Sequence, residues 1–334
     1  MSINRFENKL LSELTKIANK NISELSKILN MTKISQTVYG YIAGGYNGSS
    51  YLNTIEKLNF DTKTAAALSA TLAVARGAMG TGNTSTYGFF FAGSVFPPAY
   101  RVSEIDGINM TNDTSINPSS TLSQAKQSLG APHNGTTYAY PGYGYSSGNV
   151  KNIEKFNYNT WARSNLTSIG TARHWIGNLS SPSTSNGYYL GGTTGSYSKE
   201  VDRVNFNNDA VANMGNVLVT ARISMGCINS INNGYLCGGG IPGVAYDKGM
   251  EKMVFLNESF VNIGNKLSIG IGGQTHKSPT NYERGFLCAG TKEGGILTNY
   301  IMEFVVSTEI CSLLSSTLTS AKDAAEGVQS GGYL

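Results

Sequence analysis

The chain has 334 residues and a formal net charge of +4, and only 14% of its residues are charged. So mild and sparse a charge does not favour nucleic-acid binding, and no apolar run is long enough to span a bilayer as a helix. With 40 glycines and 19 tyrosines among abundant Ser, Thr and Asn, the composition suits secreted or virion β-proteins better than cytosolic enzymes.

Met1–Lys33 differs from everything after it. Ile3, Phe6, Leu10, Leu14 and Ile17 recur at helical spacing, and Leu25, Ile28 and Leu29 continue the same face. Leu11–Ile17 is nearly repeated in Ile22–Ile28, an eleven-residue displacement that favours straight or slightly right-handed helix association. Asn21 and Glu24 have the form of a capping box, so two helices with a break near Lys20 are expected. An isolated amphipathic helix of this length is marginal in water. It must fold back on its own domain or dock into other subunits, and the unmatched stripe favours docking. Phe6, Leu10, Leu14, Ile17, Leu25 and Ile28 are the candidate anchoring residues. The segment is charged throughout, so it is not expected to be a secretory signal.

From residue 34 onward the chain repeats. Six aromatic–apolar runs end in a small residue and a glycine: Tyr41–Gly45, Phe89–Gly93, Tyr138–Gly142, Tyr188–Gly192, Tyr235–Gly239 and Phe286–Gly290. A second signature follows each, at Ile55–Phe60, Ile105–Met110, Ile153–Tyr158, Val201–Phe206, Met250–Phe255 and Ile301–Val306. A third places an apolar residue four positions before a cation, as in Leu72/Arg76, Leu122/Lys126, Ile169/Arg173, Leu218/Arg222 and Leu318/Lys322. The pair Leu267/Ile271 is the apolar exception. Each unit reads as four short strands: a small-residue strand after the cation, the aromatic strand, the Ile-Glu-Lys-Leu-Asn-Phe strand, and a fourth that runs to the next cation. Four antiparallel strands repeated at about fifty residues predict a β-propeller.

The glycine pairs (Gly44/Gly45, Gly191/Gly192, Gly238/Gly239), the acid on the third strand and the downstream Arg resemble kelch repeats. Trp161, after Phe156-Asn157-Tyr158, sits where kelch repeats place a tryptophan. The resemblance implies an all-β fold, a six-bladed kelch-like β-propeller over residues 34–334; the helical spacing of residues 1–33 adds a short N-terminal α-helical extension. The simplest closure pairs Asp323–Ser330 beside Val38–Gly45, leaving no free edge; a local strand from Lys33–Gln36 is the alternative.

Five cations at equivalent positions could form an anion-binding ring or be paired inside the blades. The candidate pairs are Arg76 with Asp106, Lys126 with Glu154, Arg173 with Asp202, Arg222 with Glu251, and Lys322 with Glu56. The unit that lost its cation, at Ile271, carries Met302 where the others carry an acid, and joint loss is what a buried structural pair predicts. Ion pairs are therefore the expectation.

No catalytic triad or metal-ligand spacing emerges from His133, His174, His276 or the cysteines, so no catalytic residue, metal or cofactor is expected. Trp161 and Trp175 read as core packing. The loops between second and third strands are more suggestive. They carry Tyr46, Tyr51, Phe96, Tyr100, Tyr143, Tyr145, Tyr197 and Tyr246 among Gly and Ser, on one face of the disc. Tyr with Gly and Ser is the chemistry of adaptable recognition surfaces, although these rings could equally pack between blades. The leading expectation is a structural virion protein, a phage tail, fibre or capsid-attached component. Its arm would join other virion proteins, its propeller would bind a host-surface glycan or protein, and it would assemble as a homo-oligomer. The alternatives are an intracellular kelch-type interaction module and a kelch-scaffold enzyme resembling a sugar-acid mutarotase.

Overall fold

The repeats pair into six antiparallel sheets, the blades of a β-propeller. The computed structural model describes residues 38–96, 100–273 and 277–330. The arm expected over residues 1–33, with its anchoring residues Phe6 to Ile28, lies outside these. Blade 1 holds Tyr39–Ala43, Thr54–Asn59 and Ala65–Thr71, and its innermost strand is Glu326–Gln329 from the other end of the chain. The closure register runs from Gly40 opposite Gln329 to Ala43 opposite Glu326, so the C-terminal segment completes the N-terminal blade. Blades 2, 4 and 5 are contiguous four-stranded sheets starting at Gly80–Asn83, Gly177–Ser181 and Gly226–Asn229. In blade 3 the innermost segment is tied only by bridges, Gly130 to Gly142 and His133 to Ala139. Blade 6 centres on Arg284–Cys288, Ile296–Val305 and Ile310–Lys322.

Apolar side chains collect in six clusters, each shared by two adjacent blades. At the seam between blades 6 and 1, Ile42, Leu58 and Phe60 meet Phe286, Cys288 and Ile301. Closure therefore buries the same kind of surface as every other interface.

The turns leading to the fourth strands follow from one residue. Asn59, Asn109, Asn157 and Asn205 each end a third strand, and each side-chain oxygen accepts the main-chain N–H two residues on, at 2.8–3.0 Å. These four turns and their counterparts in blades 5 and 6 place a left-handed residue at Lys63, Asp113, Trp161, Asp209, Glu258 and Glu309. That residue clasps the preceding blade. Asp113 accepts the Tyr41 hydroxyl at 2.8 Å and the Lys57 ammonium at 2.7 Å. Asp209 does the same for Tyr140 and Lys155, and Glu258 for Tyr188 and Arg203; Glu309 pairs with Lys252 at 2.8 Å. Where the second strand carries Phe instead of Tyr the acid is gone. After Phe89 of blade 2 the matching turn of blade 3 bears Trp161, and after Phe286 of blade 6 that of blade 1 bears Lys63, which pairs with Glu303 at 2.6 Å. Trp161 is thus a turn residue, 38% exposed, and not the core residue expected.

The glycine pair is explained by backbone geometry. Its second member lies at φ +103 in Gly45, +126 in Gly93, +94 in Gly192, +87 in Gly239 and +104 in Gly290, a region that L side chains rarely adopt. Each of these glycines donates its N–H to the carbonyl at the cation position opening the next blade, at 2.7–3.0 Å. In blade 3 the residue making this bond is Gly144, to the Arg173 carbonyl at 2.9 Å, with φ +110. The third repeat therefore runs Tyr140–Gly144, two residues later than the expected Tyr138–Gly142. Tyr143 occupies the first glycine position at φ +61. Its ring is consequently buried, against Tyr189 at 4.9 Å and the Arg173 guanidinium at 4.6 Å. It belongs to the interface core and not to the exposed face proposed for it.

Substituting Gly45→Ala tests this geometry. A Cβ there would lie 2.7 Å from the Asp323 carbonyl oxygen at a left-handed φ. A loss of about 1–3 kcal/mol in stability is expected, read from denaturant midpoints at unchanged slope.

Candidate functional site

Two residues after each cation position the chain passes through a left-handed conformation: Ala78, Ser128, Trp175, Ser224, Gly273 and Ala324, all at φ between +49 and +61. These residues form a closed ring. Each N–H donates to the carbonyl of its equivalent in the preceding blade: Ser128 to Ala78, Trp175 to Ser128, Ser224 to Trp175, Gly273 to Ser224, Ala324 to Gly273, and Ala78 to Ala324, at 2.7–3.3 Å. The ring lies at the loop end of the innermost strands and frames the axis on that face.

Directly before the ring sit the cations. Arg76 Nη1 is 2.8 Å from Asp106, Arg173 Nη1 2.6 Å from Asp202, Arg222 Nη2 3.1 Å from Glu251, and Lys322 Nζ 2.7 Å from Glu56. Lys126 and Glu154 are 3.8 Å apart, with Arg163 also 3.3 Å from Glu154. All five cations are buried. Burial lowers the Arg76 pKa against the opposing pull of Asp106, and brings Lys126 down to about 8. Four of the acids also accept main-chain N–H groups of the loop entering their blade, Asp106 from Ala73, Glu154 from Ser123, Glu251 from Val219 and Thr220, Glu56 from Thr319, while in blade 4 Glu200 takes the Thr171 N–H at 2.9 Å. Each pair fastens an entry loop to the third strand of its blade. In blade 6, Ile271 and Met302 pack together in an apolar cluster at the matching place.

Above the ring, the loop face is uneven. The Tyr46 and Tyr51 rings pack at a tilt, 5.3 Å apart, with the Tyr46 hydroxyl donating to the Gly48 carbonyl within the same loop. Tyr246 lines a hollow of about 450 Å³ with Lys248, Ser268, Lys292 and Glu293. Phe96 and Tyr100 are 50% exposed and Tyr197 is 37% exposed. Tyr145 is drawn into a compact group with charged and aromatic partners on the loop face. Its ring lies 4.8 Å from the Arg101 guanidinium and 5.1 Å from His174. His174 in turn lies 4.7 Å from Trp175 and pairs through Nδ1 with Asn149 Oδ1 at 2.7 Å. Burial lowers the His174 pKa, favouring a neutral imidazole at pH 7.

Trp175 is the largest residue of the axial ring and is 39% exposed, so it is not the core residue expected. Arg101 escaped the sequence reading; it arrives because the blade 2 hairpin overshoots its neighbours, pairing Ser94 with Arg101 and Val95 with Tyr100. The result is a patch of Arg101, Tyr145, Asn149, His174 and Trp175 built by blades 2, 3 and 4. An indole face beside a guanidinium and a side-chain amide suits a ligand with both apolar C–H surface and polar or anionic groups. Among the described residues, no cluster of His, Cys, Asp and Glu is placed to hold a metal ion.

The ion pairs can be tested against the blade that lacks one. Lys322→Ile alone is expected to cost about 3–5 kcal/mol, because it strands the buried Glu56. The double variant Lys322→Ile/Glu56→Met, which copies Ile271 and Met302, is expected to recover most of that loss in chemical denaturation. A double variant as unstable as the single one would show that the pair contributes more than mutual compensation.

Compared with models of known protein families and with curated proteins, the chain matches none of them.

Proposed function

We propose that this chain is a binding component of a virion, a phage tail, fibre or capsid-attached protein whose propeller presents its loop face to a host-surface glycan. The patch of Arg101, Tyr145, Asn149, His174 and Trp175 carries the reading. Trp175 offers a flat apolar face for the C–H side of a sugar ring, while Arg101 and Asn149 offer hydrogen-bonding groups for its hydroxyl or acidic substituents. Tyr100, Phe96 and Tyr197 extend the exposed aromatic surface of that face. The low charge and the Gly, Tyr and Asn richness support the virion setting. Kelch kinship is supported by the repeated glycine pairs and the acid–cation pairs. In this reading the arm over residues 1–33 inserts Phe6, Leu10, Leu14, Ile17, Leu25 and Ile28 into neighbouring virion chains, and several copies display their patches together, so weak single contacts sum to firm attachment. Recognition, and not catalysis, is the role assigned to the face.

The test is a glycan array probed with the full chain, followed by Trp175→Ala and Arg101→Ala. Alanine already occupies the equivalent ring positions at Ala78 and Ala324, so Trp175→Ala is compatible with the axial hydrogen bonds. Each variant is expected to weaken glycan binding at least tenfold with little change in unfolding temperature. Absence of glycan binding by the parent chain, or binding unchanged in both variants, overturns the assignment. Separately, removing Met1–Lys33 is expected to leave a folded, glycan-binding propeller that no longer joins its particle; particles that still incorporate it would rule the arm out as the anchor.

A further inference from the structure

The lysine that opens blade 3 differs from its counterpart in blade 1 by what lies beside it. Lys126 is wholly buried and its Nζ stands 3.8 Å from Glu154, whereas Lys322 closes on Glu56 at 2.7 Å. The Lys126 amine instead donates to Asn152, at 3.3 Å to the side-chain Oδ1 and 3.2 Å to the main-chain carbonyl. Asn152 Nδ2 in turn donates to Glu154 Oε1 at 3.3 Å. An amine, a carboxamide and a carboxylate therefore meet at one place, each within reach of the other two.

The other blades lack this trio at the matching positions. Two residues before the acid stand Thr54 in blade 1, Glu104 in blade 2, Glu200 in blade 4 and Gly249 in blade 5. The cations of blades 2, 4 and 5 are arginines, whose guanidinium stays protonated and is no nucleophile. Glu154 is also held from its far side. Its Oε2 accepts the Ser123 N–H at 2.9 Å and lies 3.3 Å from the Arg163 guanidinium. These contacts leave Oε1 to the carboxamide. Arg163 also remains as a counter-charge for the buried Glu154 if Lys126 loses its own.

We propose that Lys126 and Asn152 join in an intramolecular isopeptide bond, with Glu154 carrying the proton between them. The Lys126 Nζ lone pair attacks Asn152 Cγ, the atom bonded to Oδ1, and a new C–N bond forms. Glu154 takes a proton from the attacking nitrogen and delivers it to Asn152 Nδ2. The Cγ–Nδ2 bond then breaks and ammonia leaves, so one amide replaces another, nothing is oxidised or reduced, and Glu154 is regenerated. The nucleophile is the neutral amine. Burial brings the Lys126 pKa down to about 8, so about a tenth of the side chain is in that form at pH 7. Fixed neighbours supply the orientation that such a reaction otherwise lacks. The bond would tie the start of the innermost segment of blade 3, which is held only by bridges, to the start of the strand Ile153–Asn157. A covalent closure there restrains the unfolded chain. The inference does not rest on the glycan reading of the loop face.

The experiment is intact-mass and peptide mass spectrometry of the folded full chain, before and after prolonged warming below its unfolding temperature. Loss of one ammonia, about 17 Da, is expected. Trypsin is expected to spare Lys126 and to yield residues 102–151 covalently joined to residues 152–155. Asn152→Ala and Lys126→Met are expected to keep their full mass, and Glu154→Gln to slow the loss by about a hundredfold or more. Lys322, beside Glu56 but with no carboxamide at position 54, is the internal control and is expected to be cleaved normally. A parent chain that keeps its full mass overturns the proposal. So does an ammonia loss that maps to cyclised Asn-Gly steps such as Asn134-Gly135, with Lys126 still cleaved. The parent digest decides this even if no variant folds.

Discussion

The ring of six main-chain hydrogen bonds at the axis is the constraint on which the rest depends. Every blade contributes one residue, and that residue must be left-handed so that its N–H points to the preceding blade and its C=O to the following one. Non-glycine residues hold this conformation at five of the six places, at a cost of about 1–2 kcal/mol each. Nothing local repays that cost; closure of the ring does. The buried ion pairs next to it act in the same direction, since each holds the loop that delivers the chain into the ring. Packing in the blade interfaces then supplies the bulk of the stabilisation, as six separate cores and not a single one.

Recognition chemistry gathers where the repeat is least regular. Blade 3 has a two-residue shift, a tyrosine in place of a glycine, and an innermost segment tied by bridges alone. Blade 2 sends its hairpin past the level of its neighbours. Blade 4 enters the ring through Trp175 where the others use Ala, Ser or Gly. These three departures meet at one place and form the patch. A regular scaffold tolerates them because the ring and the ion pairs carry the structure there, freeing the loop side chains for other uses.

Architecture was legible because its causes are local and repeated. The left-handed glycine after each second strand, the Asn that ends four of the six third strands and the cation–acid pair, whose two members are lost together at Ile271 and Met302, each have a backbone or electrostatic reason that recurs along the chain. The third repeat was misplaced by two residues because Gly142 imitates the motif in letters, while the left-handed φ belongs to Tyr143 and Gly144. Exposure of the loop tyrosines was not legible. Period two and period fifty say which face a loop occupies, not whether Tyr143 turns under it. Size makes Trp161 and Trp175 resemble core residues, whereas turn geometry leaves both more than a third exposed. Arg101 carries no repeated signal, since it stands on the overshooting hairpin of its own blade. Signals of spacing between strands 2 and 3 of one blade and the turn of the next would have revealed the clasps: Tyr41, Lys57 and Asp113 recur as Tyr140, Lys155 and Asp209.

Those clasps differ from seam to seam, and the difference amounts to an address. At four seams a cation or tyrosine reaches forward to an acid, but at the seam joining blade 6 to blade 1 the polarity is reversed, with Glu303 reaching Lys63. A ring that closed one blade early would set Lys252 against Lys63, two cations. One that inserted blade 6 ahead of blade 2 would set Glu303 against Asp113, two anions. Repeat chains of similar units risk closing with the wrong number of members or in the wrong order during folding. Here a single inverted charge pair counts the blades.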